Sequence, residues 1–461
     1  MPNGALVQLA ATGAQDSNFI SEDPADSIFK ESTSKACNFV KSTESMRCSG
    51  NPSWGNTINF KINKEGDLLY TIYFVVKLPK ISKDYLSDST NSKVKWGDYI
   101  GNLLIENIKL KIGGQIIDEQ SGDFIQLYTD MYDDDGNKLN LIGMDNYMNV
   151  PQDEIESTFV YVPLKFWFCE SLSKSLPLIA LQYHDIEVEI KLRKWNECVQ
   201  VLKYVDDTDL KPGPGFYFDT ENNPLAELPI EEVRLDCNFI YLSARERKEM
   251  AQKEHKILIT QTQRIRQNLS QGKSVELSSF NHPVKEMYFY ITDSFRTKNT
   301  PDIMNFSNKS KYPTKDNYDH FIVDNNKTFS DYNYLSKDHY LESAQIKING
   351  HNRTEVRDYK YYYFLQNYEY FRTGLEHYVY LYSFSGNPRA STPLGTLNFS
   401  RVSNAQLRFN INKKAILNAQ NRVDSSKRSE IKESNLDIVV FVVNYNYLVI
   451  KGGMGGLMYS N

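Results

Sequence analysis

Histidine, cysteine, excess positive charge and long apolar runs are all scarce in this chain. Each scarcity removes a class of protein. The seven histidines show no H-x-H or H-E-x-x-H spacing, so no zinc or metalloprotease site is expected. The five cysteines (Cys37, Cys48, Cys169, Cys198 and Cys237) are odd in number and lack C-x-x-C spacing. That argues against a disulfide scaffold and leaves buried, reduced thiols as the reading. The longest apolar run is Ile438–Val443, far short of the roughly 20 residues a membrane helix needs. The formal charge of −5 does not suit a protein that coats nucleic acid with a basic surface. Met1-Pro-Asn-Gly-Ala-Leu-Val7 carries no basic stretch before an apolar core. A soluble chain made in the cytoplasm is therefore expected.

Chemistry-bearing motifs are scarce too. No G-x-S-x-G or Walker sequence occurs. Gly452-Gly-Met-Gly-Gly456 resembles a phosphate loop only in its glycines. Such a loop leads into a helix N-terminus, and no helical pattern follows here, so a tight turn is expected. Asp133-Asp-Asp-Gly136 reads as an exposed acidic turn, because the Glu that completes a calcium loop is missing. His184, in Q-Y-H-D, reads as a strand-borne structural histidine matching Ser400 in the other half. No catalytic, cofactor or metal residue is nominated. The sequons leave Asn268, Asn305, Asn308, Asn326 and Asn352 as candidate glycan acceptors. Asn398 also sits in a sequon, but within a predicted strand. Without a secretory signal, ordinary N-glycosylation is not expected.

What the chain has in abundance is aromatic residues, with 31 Tyr and 24 Phe, a composition that favours strands. It also has a distant repeat. Ile105–Gly114 reads I-E-N-I-K-L-K-I-G-G, and Leu341–Gly350 reads L-E-S-A-Q-I-K-I-N-G, 236 residues further on. Solenoid periods run about 20–50 residues, so a whole domain was duplicated instead. At the same offset, Phe124–Tyr128 falls against Lys360–Phe364. Leu69–Phe74 resembles Val284–Phe289 at an offset of 215. Phe166–Phe168 pairs with Tyr382–Phe384, and Leu176–Tyr183 with Thr392–Phe399, at an offset of 216. Cys237–Leu242 parallels Ile438–Val443. The shifts in offset place a longer connection near Asp130–Ser157 in the first copy and near Asp293–Tyr340 in the second. Matching strands with differing loops are what a diverged duplication produces.

Strands are expected at Ile58–Ile62, Leu68–Leu78, Leu103–Ile117, Phe159–Phe168, Ile186–Leu192 and Val233–Leu242. The nearly continuous apolar run at Leu68–Leu78 suits a strand covered on both faces. Asp123–Tyr132 suits a short helix, and Asp206–Pro214 is a turn. Ser243-Ala-Arg-Glu246 suits a capping box opening a charged linker helix. The units are then an N-terminal arm (1–35), a first domain (36–242), a linker (243–256) and a second domain (257–461). The expected fold is all-β: two tandem eight-stranded antiparallel jelly rolls with long inserted loops and a few short helices. Periodicity alone does not choose a jelly roll over another Greek-key sandwich.

A set of short motifs goes further. They are Gly4–Asp16 (G-A-L-V-Q-L-A-A-T-G-A-Q-D), Gly66-Asp-Leu68, Leu176–His184 (L-P-L-I-A-L-Q-Y-H), Asn281-His-Pro283, Asn398-Phe-Ser-Arg401, Asn444-Tyr-Asn446 and Gly453-Met-Gly-Gly-Leu457. In this order they resemble the double jelly-roll major capsid protein of nucleocytoplasmic large DNA viruses, as in chloroviruses, iridoviruses and marseilleviruses, and a marseillevirus-like member is expected. The resemblance implies a virion structural protein and no enzyme. It implies a homotrimer of pseudo-hexagonal outline that tiles an icosahedral shell. The implied partners are copies of itself, minor capsid proteins and penton proteins. An internal membrane would lie nearby without being spanned, and nucleic acid would not be touched directly. The loops 130–157, 204–232 and 293–340 would form the outward tower, and the arm at 1–35 would be ordered by neighbours. Synthesis would take place in the host cytoplasm. Two competing readings have their own requirements. A carbohydrate-binding, lectin-like jelly roll needs an exposed aromatic platform, yet Trp167 and Trp195, two of the four tryptophans (with Trp54 and Trp96), lie in or beside apolar strands. A β-sandwich hydrolase needs paired carboxylates in one cleft.

Overall fold

The computed structural model describes residues 38–86, 89–132, 137–144, 148, 150–205, 215–218, 225–293, 303–304, 306, 339–372, 378–390, 392–413, 415–416 and 435–460. The arm at 1–35, Cys37, Asp133–Gly136, Asp206–Pro214, Asn305, Asn308 and Asn326 lie outside them.

The first half contains β1 (Phe39–Arg47), β2 (Thr57–Ile62), β3 (Leu68–Leu78), β4 (Ile81–Ser82), β5 (Ser92–Trp96), β6 (Ile105–Ile112), β7 (Gln115–Gln120), β8 (Glu154–Ile155), β9 (Thr158–Pro163), β10 (Leu176–Pro177), β11 (Ile186–Leu192), β12 (Val199–Val205), β13 (Gly215–Phe218) and β14 (Glu232–Leu242). The second contains β15 (His255–Asn268), β16 (Ser274–Glu276), β17 (Pro283–Asp293), β18 (Leu341–Ile348), β19 (His351–Asn352), β20 (Arg357–Asp358), β21 (Tyr380–Ser383), β22 (Leu397–Asn398), β23 (Ala405–Ile411), β24 (Leu436–Lys451) and β25 (Met454–Leu457).

Each half is a jelly roll. In the first, β1-β14-β3 form one sheet, with β9 and β10 sharing the next position along β3; β2-β11-β6-β7 form the other. In the second, β15-β24-β17 carries β21 and β22 along β17, and β16-β23-β18 carries β19 and β20. Among the described residues, leaving aside β4, β5, β8, β12, β13 and β25 and counting each split strand once gives eight per roll, all antiparallel. Among these eight strands of each roll, the chain changes sheet at every connection except the hairpin that makes the repeat. There Gly113-Gly114 and Asn349-Gly350 all hold positive φ, the requirement of a type I′ turn. Even an irregularity is duplicated: the β3–β14 and β17–β24 ladders both slip by a residue, leaving out Tyr70 and Lys285.

Antiparallel geometry sorts the connections by end. The β1–β2, β3–β6, β7–β9 and β11–β14 connections share one end of the first roll, and their counterparts share one end of the second. The long segments 130–157, 204–232 and 293–340 all leave from these ends. Part of this excess is ordered. β12 and β13 form a hairpin that pairs with β5, and β4 pairs with β8. A strand at Gly215–Phe218 thus stands where only a loop was expected.

Several expectations are corrected. Leu103–Ile117 is not one strand but the end of a helix (Ile100–Leu104), β6, the glycine turn and the start of β7. Phe159–Phe168 leaves the sheet after Pro163 and turns into a 3-10 helix at Trp167–Cys169. Leu176-Pro177 pairs with Leu69-Leu68, and Leu397-Asn398 pairs with Val284-Pro283. The true offset there is 221, not 216, because the Thr392-Pro-Leu match falls in the turn before β22. Cys237 opposes Ile72 and Val442 opposes Met287. That alignment lies four residues from the sequence match, and a shift by an even number leaves each side chain on its face. The capping-box bonds are replaced by one between the side chains: Ser243 is the N-cap of the helix Ala244–Gln252, but its hydroxyl donates to Glu246 (2.8 Å) and caps no backbone N–H. His184 lies in a bend before β11, not in a strand.

Apolar side chains fill two cores. β24 explains its unbroken apolar run by serving both. Ile438, Val440 and Val442 face the second roll's interior, while Val439, Phe441 and Val443 face the first roll. Cys198 and Cys237 are buried and Cys48 and Cys169 half-buried, all free thiols. Burial pushes the Cys237 thiol up to about 12, so it is an inert core group.

Candidate assembly surfaces

The four tryptophans form no platform. Trp54, Trp96, Trp167 and Trp195 are all buried. Trp54, Trp96 and Trp195 pack on one another with centroids 5.0–6.3 Å apart. Among the described residues no group of three or more His, Cys, Asp or Glu is placed to hold a metal ion, and no helix is long and apolar enough to cross a membrane. Asn268 is engaged, donating to Asp437 (2.7 Å); Asn352 and Asn398 are exposed.

Buried polar groups gather at the seam between the rolls. The helix Gly122–Tyr132 leaves β7 and lies against the outer face of β15, β24 and β17. Gly122 is required at its start, since a Cβ there would sit 2.1 Å from the Asn102 carbonyl oxygen. Phe124 packs on Phe441 and Tyr288, with centroids 5.5 and 6.5 Å away. Asp123 accepts the Tyr290 hydroxyl at 2.8 Å and pairs with Arg264 at 3.2 Å. Burial pushes the Asp123 carboxyl up, but Arg264, Ser121 and Arg193 outweigh it and hold it below its ordinary value. At the other end of the helix, Tyr132 donates to Glu286. Glu286 is fully buried beside Lys285 (3.2 Å), whose ammonium also donates to the Pro388 carbonyl (3.1 Å). Burial and the Glu286 charge hold the Tyr132 phenol well above its ordinary value.

Nearer the hairpin end, Asp118 accepts the Thr262 N–H at 2.9 Å, the Glu119 N–H at 3.0 Å and Gln120 Nε2 at 2.7 Å. Burial outweighs these donors and pushes its carboxyl up to about 7. Two sequence motifs meet at the base of the seam. The Tyr183 N–H donates to the Gly453 carbonyl (2.9 Å), and His184 Nδ1 lies 2.9 Å from the Gly455 carbonyl. Gly453 has φ +82°, and a Cβ there would lie 2.5 Å from the Tyr183 ring. The glycine-rich stretch is thus a hairpin tip pressed against the L-P-L-I-A-L-Q-Y-H segment. His184 is a structural residue at this junction.

Motif residues elsewhere also hold chain crossings together. Asp67 accepts the Leu242 N–H (2.8 Å) and pairs with Arg247 of the linker helix (2.9 Å). Asn444 and Asn446 bond to Gln263 and Gln261 of β15.

Sequence reasoning missed Asp118, Asp123, Arg264, Lys285 and Glu286. One signal existed: Lys285-Glu286 interrupts the otherwise uncharged run Val284–Thr292, and a charge inside a core strand is retained only with a partner.

Two jelly rolls joined through a buried, asymmetric seam define a double jelly-roll protein. The comparisons carry this further. Residues 27–243 match the family model described as major capsid protein N-terminus, and residues 246–456 the model described as large eukaryotic DNA virus major capsid protein. The major capsid proteins of Pyramimonas orientalis virus and Paramecium bursaria Chlorella virus 1 are each 28% identical, over 99% of this chain and 100% of theirs. The quasi-atomic model of the PBCV-1 virus capsid superposes with a TM-score of 0.70 at 24% identity, covering 94% of this chain and 100% of that one. The Faustovirus major capsid protein does so with 0.65 at 13% identity, covering 97% of each. The chain belongs to the major capsid protein family of large eukaryotic DNA viruses.

Proposed function

We propose that this major capsid protein forms a homotrimer of pseudo-hexagonal outline that tiles an icosahedral shell. The observation that carries the reading is the seam. It joins unlike surfaces, a helix of one roll and a sheet face of the next. A contact of that kind, repeated around an axis, builds a ring when its rotation closes. With two rolls per chain, three chains supply six positions. The division into arm (1–35), first roll (36–242), linker (243–256) and second roll (257–461) serves that ring. The end bearing the long connections 130–157, 204–232 and 293–340 is taken as the outer face. Neighbouring capsomers, minor capsid proteins and penton proteins meet the sides and base, with a membrane beneath that is not spanned and no direct contact with nucleic acid. The protein is made in the host cytoplasm and acts in the virion, without enzymatic activity or cofactor. Among the described candidate glycan acceptors, Asn352 is exposed, and peptide mass spectrometry of virions tests it. Sedimentation with negative-stain imaging tests the main reading. A compact six-lobed trimer is expected, and a monomer at high concentration would sink it.

A further inference from the structure

We infer that the exposed face of the second roll's helical segment, Tyr361–Leu365 and Asn367–Phe371, is the docking surface for a second copy of this chain. Its occupant is the outer face of that copy's β1, β14 and β3. This rests on the ring reading and names the surfaces that close the ring.

The argument starts from the repeat. The helix Gly122–Tyr132 and the segment 361–371 are counterparts at the 236-residue offset, which sets Tyr128 against Phe364 and Tyr132 against Tyr368. In the first roll this element is covered: Phe124, Leu127 and Met131 are buried, and Tyr132 reaches Glu286 on the neighbouring roll. In the second roll its counterpart leaves Phe364, Leu365 and Tyr368 at 36, 43 and 79% exposure. Three neighbouring apolar or aromatic side chains in the open on one helical element form an exposed apolar patch of the kind that marks a contact surface.

The other half of the contact is also present and uncovered. The sheet face that receives Gly122–Tyr132 is the outer face of β17 and β24. Its counterpart is the outer face of β3 and β14, at an offset of 215 along β3 with the same slipped residue, Tyr70 for Lys285. Thr71 therefore stands where Glu286 receives Tyr132. Around it lie Tyr73, Asp236 and Asn238, with Thr43 and Ser45 on β1. None of these six is buried.

The two versions differ in polarity in the direction physics requires. Tyr288, Tyr290, Val439, Phe441 and Val443 meet their partner within one chain and are buried once folding ends. The equivalent face of the first roll waits in water for another chain. It carries hydroxyls and amides that bond one another, Thr43 and Asn238 at 2.5 Å and Asn238 and Thr71 at 2.6 Å.

The test uses the full chain with the photo-crosslinker benzoylphenylalanine at position 368. Irradiation of the assembled protein should join it to a peptide from β1, β3 or β14 of another copy. Attachment only to other surfaces would overturn the inference. In parallel, Tyr368→Asp with Leu365→Asp should raise the concentration for half-assembly by about 30-fold or more, the effect of losing one interface anchor. Far-UV circular dichroism should be unchanged, because both side chains are exposed. A wild type that stays monomeric defeats the ring reading and this inference together. A wild-type trimer whose double variant assembles equally well defeats this inference alone.

Discussion

Asp118 is the residue whose ionisation bears most directly on the seam. Its carboxyl is pushed up to about 7 from an ordinary 3.8. The folded chain therefore binds this proton more tightly than the unfolded chain does. The stabilisation is fully present below about pH 4 and is lost as pH rises through about 7. In calorimetry, wild type should lose melting temperature between about pH 4 and pH 7, and Asp118→Asn should lose less. Equal slopes would contradict the assignment. A second test separates backbone strain from crowding. Gly114 and Gly453 both have positive φ, but a Cβ at Gly114 meets open space and one at Gly453 meets the Tyr183 ring. Gly114→Ala should cost about 1–2 kcal/mol from left-handed strain. Gly453→Ala should cost about 0.5–1.5 kcal/mol more, for pushing the exposed Tyr183 ring off its rotamer, as read by urea denaturation.

At the scale of elements, the seam depends on an aromatic contact between one helix and one sheet. Phe124→Ala removes the ring that packs on Tyr288 and Phe441, and should destabilise by about 3–5 kcal/mol. A loss below about 1 kcal/mol would mean the seam carries little of the stability. This scale also marks where sequence reading succeeds and stops. Leu68–Leu78 and Ile186–Leu192 are legible to the residue, because apolar patterning directly reports burial. The offsets of the repeat are legible where strands carry them, as at Ile105–Ile112 and Leu341–Ile348. They mislead at Pro177 and Pro393, where a proline in a sheet was matched to one in a turn. Asp123 and Glu286 were not legible as a site. What makes them one is Arg264, Tyr290 and Tyr132, which come from distant segments, and a linear pattern holds no record of such proximity. Ser243 and Glu246 show the same limit on a small scale: the spacing is that of a capping box, but the two side chains bond each other.

At the scale of the whole molecule, assembly and stability should be coupled. A trimer binds folded chains and not unfolded ones, so mass action predicts a melting temperature that rises with protein concentration. A scan over a hundredfold concentration range checks this, and a flat response would contradict trimerisation. The two halves also hold their surfaces in different states of readiness. One face of the second roll is covered as soon as the chain folds, and the matching face of the first stays wet until a partner arrives.

The position of β24 has a consequence in time. It lies between β15 and β17, yet both of those strands leave the ribosome well before it. For the interval in which β18 to β23 are being made, the sheet lacks its central member, and two long strands hold open edges with no correct partner. Closing such a gap demands contacts across much of the chain, which is slow, and open edges invite wrong pairing. The strand whose arrival completes the second roll is also the one that brings Phe441 to the seam. The first roll therefore has to wait for the end of the second before either can dock.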